Sequence, residues 1–125
     1  MKRKALLFAA VALVALLVGS VAYAGLGTSS YASISLSQTG AYGGTWQPMS
    51  GTTTFTGANY TSATNTLYVG TYRRYVSGSN YSYAMAPGNT LTPRTPSLNT
   101  CDYQVVLDPA GPNFSGCAGW GKMQN

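Results

Sequence analysis

Beyond residue 24, Ser, Thr, Gly and Asn supply 48 of the remaining 101 residues. Such a stretch holds little that a helix favours and much that suits strands and turns, which points to an all-β fold. The local pattern agrees. Ala32, Ile34 and Leu36 alternate with Ser33, Ser35 and Ser37, a period of two that sends apolar and hydroxyl side chains to opposite faces of a strand. Thr45-Trp46-Gln47 reads as a short piece, and Thr52 to Thr56 as a strand around Phe55, while Pro48 argues against a long central strand nearby.

The longest alternating run is Thr66 to Ser77, with both faces mixed. Ser77-Gly78-Ser79-Asn80 is a turn signal, so Tyr81 to Met85 is the returning arm of a hairpin that stops at Ala86-Pro87-Gly88-Asn89. Pro93 and Pro96, with Arg94 between them, predict an extended surface connection rather than a packed element. Cys101 to Leu107 resumes the alternation. No repeat of solenoid or propeller length recurs. The prediction is one small antiparallel sandwich or barrel of about five to eight short strands.

Its core has to be built from unusual material. Leu, Ile, Val and Phe number only 13 of the 101 residues, and nine Tyr, two Trp and three Met make up the deficit. Each aromatic ring buries a large apolar area, so several of these rings belong inside, Trp46 and Trp120 among them.

Residues 1–24 read as a secretory signal that forms a helix during export. Lys2, Arg3 and Lys4 precede a run from Ala5 to Gly19 of apolar or small residues, and Ala22-Tyr23-Ala24 presents small side chains at the two positions that a signal peptidase reads. Cleavage is expected before Gly25, leaving residues 25–125 as a single β domain that is secreted or held at the cell surface. An uncleaved membrane anchor is the alternative. Otherwise the membrane is met only through this segment.

Removing the signal lowers the net charge from +5 to +2, with Arg73, Arg74, Arg94 and Lys122 set against Asp102 and Asp108. Four dispersed cations do not make the basic stripe that phosphate binding needs, so no nucleic-acid partner is expected. Cys101 and Cys117 are the only cysteines, and in an exported chain they predict a disulfide closing a C-terminal hairpin, 101–117, with its turn at Asp108-Pro109-Ala110-Gly111. A bridge of that span stabilises a fold by about 3 kcal/mol in the chain-entropy account.

Catalytic machinery is sparse. The chain has no His and no Glu, which excludes Ser-His-Asp and Cys-His sites and His-ligated zinc. Asp102 and Asp108 lie six residues apart around one strand and its turn, with no further acid to organise them as a glycosidase pair. Turn formation explains Asp108 and Asn113 without a metal, and Lys122 lacks an S-x-x-K partner. No enzyme activity, cofactor or metal is expected. The Arg73-Arg74 pair lies in the most aromatic stretch, and with Tyr72, Tyr75 and Trp46 it forms the candidate binding surface. Asn59, Asn80 and Asn113 begin glycosylation sequons. Gly43-Gly44-Thr45-Trp46 is similar, over those four residues, to the start of mature lactococcin-type bacteriocins, and the rest of the chain departs from that pattern.

Three functions compete. The first is a structural or adhesive surface or fibre subunit that self-associates through β-strands, because few charges keep neighbours apart and the strand beginning at Tyr31 could be exchanged between copies. The second is a module that binds a glycan or an extracellular protein through exposed aromatic residues. The third is a small secreted bacteriocin or inhibitor.

Overall fold

The computed structural model describes residues 27–75 and 81–125. The proposed signal, with Ala22, Ala24 and Gly25 at its cleavage point, and the sequon at Asn80 lie outside the described residues.

The described chain is all-β. Its strands are β1 (Ser29–Ile34), β2 (Ala41–Tyr42), β3 (Gln47–Thr52), β4 (Thr54–Asn59), β5 (Leu67–Arg73), β6 (Ser82–Met85), β7 (Ser97–Pro109) and β8 (Gly119–Gln124). They make two antiparallel sheets. In the smaller, β8 runs between β1 and β4. In the larger, the long strand β7 is flanked by β5 and then β6 on one side, while β2 and β3 follow one another along its other edge. Pro48 is tolerated because β3 pairs on one side only.

The inner faces of the two sheets share one core. Along β7 the inward positions Tyr103, Val105 and Leu107 are completely buried, as are Leu67 and Val69 on β5. Opposite them β8 presents Gly119, Gly121 and Met123. A Cβ placed on Gly121 would lie 2.6 Å from Leu107 Cδ2 and 2.7 Å from Val69 Cγ2, so the missing side chain is the space those two residues fill. Phe55 and Met85 close the core between β4 and β6, where Tyr83 meets Phe55 edge-on at 5.4 Å. Tyr103 solves the problem of a buried hydroxyl by donating to Asn99 O at 2.7 Å.

Two polar details join the sheets. Ser30 on β1 is buried, and its hydroxyl accepts the Val105 N–H at 3.0 Å where the ladder between β2 and β3 is interrupted. Thr53 alone separates β3 from β4, so the chain steps from one sheet to the other in a single residue. The Asn125 side chain clasps that corner, accepting from Ser50 N and donating to Ser50 O at 2.9 Å.

Several expectations are corrected. Cys101 and Cys117 are not paired. The hairpin 101–117 does not form, because β8 leaves β7 for the other sheet and pairs with β1 and β4 instead. Cys101 therefore stays eight residues, roughly 26 Å of extended strand, from the Pro109 end of β7, beside Arg74 O. Cys117 lies at the Pro109 end, its thiol donating to Asn65 O at 3.2 Å. The work assigned to a disulfide falls to Asn65, whose Nδ2 donates to Ala110 O and Ser115 O and whose backbone N–H bonds Gly116 O.

The proline-bearing segment is also more than a surface connection. Residues 88–96 run along the outer edge of β4, with Phe55 N bonded to Arg94 O at 2.7 Å and Leu91 N to Gly57 O at 2.8 Å, and Leu91 is buried. β8 went unpredicted altogether. Leu36 lies past the end of β1 and is 46% exposed, whereas Ala32 and Ile34 sit in the core of their own chain.

Candidate binding groove

The outer face of the larger sheet carries the candidate site. Period-two geometry puts Tyr68, Gly70 and Tyr72 of β5 on that face, with Val106 and Asp108 of β7 beside them and Tyr42 of β2 beyond. These side chains, with Ser82 of β6 and the loop at Asn113, bound a groove of about 450 Å³, within the range of about 300–1,000 Å³ that ligand sites occupy. Tyr42, Tyr68 and Tyr72 are all partly open to solvent, and Tyr42 meets Tyr72 edge-on at 5.6 Å. That contact holds the Tyr72 ring in place without covering it.

Gly70 shapes the floor. Any side chain there would run into the Tyr81 carbonyl, so the position stays bare between two tyrosines. Asp108 stands across the strand pair from Tyr68 and, among the described residues, is the only charged one on the groove wall. Partial burial pushes its carboxyl above the ordinary value. Burial, and secondarily the Asp108 carboxylate, push the Cys117 thiol up, which leaves it un-ionised at neutral pH and a poor nucleophile.

The candidate surface read from sequence is not one surface. Tyr72 belongs to the groove. Arg73 instead points to the inner side and lines a second cavity of about 260 Å³ with Tyr81, Leu98 and Tyr103. Arg74 lies 4.8 Å from the centroid of the Tyr75 ring and 3.4 Å from Asp102, at the far end of the sheet, and Tyr75 is 91% exposed. Trp46 is half-buried in the link between β2 and β3. Trp120 lies on the other sheet, where it stacks on Tyr31 at 6.2 Å.

The sequons divide. Asn59 is 1% exposed, and its Nδ2 donates to Asn65 O at 2.8 Å and Met85 O at 3.1 Å, so it is a structural residue closed to glycosylation in the folded chain. Asn113 is exposed on the loop at the groove, with a φ of 55°. Among the described residues no cluster of three or more His, Cys, Asp or Glu could hold a metal ion.

Sequence reasoning missed Tyr42, Tyr68 and Asp108 as members of one site, because three strands far apart in the chain bring them together. The available signal was Tyr68-x-Gly70-x-Tyr72, two rings on one strand face around a bare position. No known protein family, curated protein or solved structure matches this chain.

Proposed function

We propose that the chain is an exported, non-catalytic structural or adhesive protein of the cell exterior, whose copies associate by adding strands along the outer edge of β1. The observation that carries this reading is the contrast between the two edges of the smaller sheet. The β4 edge is covered by residues 88–96, whereas the β1 edge has no backbone partner among the described residues. Asn125 N bonds Thr28 O at 2.9 Å, so by antiparallel alternation Ser29, Tyr31 and Ser33 turn their backbone groups outward. Their side chains are exposed, and β1 carries no charge and no proline to discourage a neighbour.

Strand exchange in its original form is replaced here by strand addition, since β1 completes its own sheet. Sedimentation velocity on residues 25–125 tests the reading. Assemblies are expected from the wild type, and monomers from Ser33→Pro, which removes an outward N–H without breaking a bond to β8. A wild-type species near 10 kDa, or assemblies unchanged by both Ser33→Pro and Tyr31→Lys, would refute it.

A further inference from the structure

We propose that the groove on the outer face of the larger sheet is a binding site for an uncharged saccharide, seated over Gly70 between the rings of Tyr68 and Tyr72. It is separate from the β1 edge and stands whether or not the chain assembles.

The argument starts from spacing. Residues two apart on a strand face stand about 7 Å apart, so Tyr68 and Tyr72 are about 13 Å apart with only the bare Gly70 between them. The notch is floored by backbone already committed to the sheet, since Gly70 pairs with Val106 on one side and Ser82 on the other. An extended peptide seeking main-chain partners therefore finds none on this floor. A flat ring with apolar C–H faces and hydroxyl edges fits instead, stacking its faces on the tyrosines.

The rim supplies what such a ligand needs. The side chains of Ser82, Asp108 and Asn113, and the hydroxyls of Tyr42, Tyr68 and Tyr72, line the groove and form no hydrogen bond to protein among the described residues. Hydroxyl-rich ligands use both donors and acceptors, and this set offers both. Charge narrows the class further. Among the described residues the groove has one carboxylate and no cation, while the arginines of β5 and its end are turned away to the second cavity and to Asp102. Sulfated or uronic acid sugars would meet Asp108 with no compensating positive charge.

The test is a titration of isotope-labelled residues 25–125 with cellohexaose, maltohexaose, mannohexaose, xylohexaose and chitohexaose, followed by backbone amide shifts. Shifts clustered at 68–72, 106–108 and 111–113 are expected for at least one probe. Tyr68→Ala and Tyr72→Ala should each weaken that binding tenfold or more, and Tyr68→Phe by less. Tyr75→Ala should leave it unchanged. All three side chains are at least partly exposed, so retained amide dispersion in each variant shows that the fold survives. Absence of shifts with every probe at millimolar concentration would overturn the proposal, as would binding that Tyr68→Ala and Tyr72→Ala leave intact. Binding that is lost on Asp108→Asn but indifferent to both tyrosine variants would also overturn it, since the carboxylate and not the rings would then hold the sugar.

Discussion

The central strands of the two sheets, β7 and β8, do opposite things with the same geometry. β7 turns Tyr103, Val105 and Leu107 inward, each fully buried, and β8 answers with Gly119, Gly121 and one methionine. One sheet contributes bulk and the other contributes room for it. A core can thus be dense even when aliphatic residues are scarce, provided that large and bare positions face each other. The scarcity of Leu, Ile and Val describes half of an interface whose other half is glycine.

Breaking the bulky side should cost most. Leu107→Ala leaves a cavity that the bare strand opposite cannot fill, and a loss of about 2–5 kcal/mol is expected in urea unfolding. Crowding the bare side comes next. Gly121→Val drives a side chain into Leu107 and Val69 and should cost about 1–3 kcal/mol by the same measurement. If Gly121→Val proved neutral while Leu107→Ala did not, the two strands would not be complementary in the sense argued.

The connection between β7 and β8 sharpens the comparison. Asn65→Ala removes the Nδ2 bonds to Ala110 O and Ser115 O and should cost about 1–2 kcal/mol, read as a lower Tm. Reductant should do nothing. Dithiothreitol is expected to leave the Tm of the wild type unchanged, because the two thiols are not paired and Cys101 lies eight residues along β7 from the end where Cys117 sits. A drop in Tm on reduction would reinstate the bridge.

The smallest effect is at Asp108. Its folded carboxyl is held above the ordinary value of 3.8, so folding disfavours the ionised form and the wild type loses a little stability as pH rises through the carboxylate range. Asp108→Asn lacks that loss. Its Tm should be slightly above wild type at pH 7 and equal to it well below pH 3.8.

What could be read from sequence follows from the same contrast. β1 and the second half of β7 announce themselves because apolar and polar residues alternate in them, and β5 does so through its run of strand-favouring residues up to a turn signal. β8 alternates too, but Gly-Trp-Gly-Lys-Met-Gln inverts the usual sign, with glycine inward and the large side chains outward, and propensity marks glycine as a strand breaker. The predicted disulfide failed for a related reason. Placing the turn midway between two cysteines assumes that the strands on either side pair with each other, and nothing local reveals that β8 joins the other sheet. Tyr72 was legible as a candidate from the aromatic stretch around it, and it lines the groove. Its grouping with Tyr42 and Asp108 was not, because that depends on strand order.

The glycines of β8 also bear on how faithfully the chain can assemble its own sheet. Side chains alternate strictly along a strand, so sliding β8 by one position against β1 and β4 would carry Trp120 and Lys122 into the space now left by Gly119 and Gly121. At Gly121 that space is already taken by Leu107 and Val69, and at Gly119 by the Ala58 carbonyl. A slipped pairing is therefore barred by an indole and an ammonium group with nowhere to go, and the correct alignment is selected by exclusion of its neighbours.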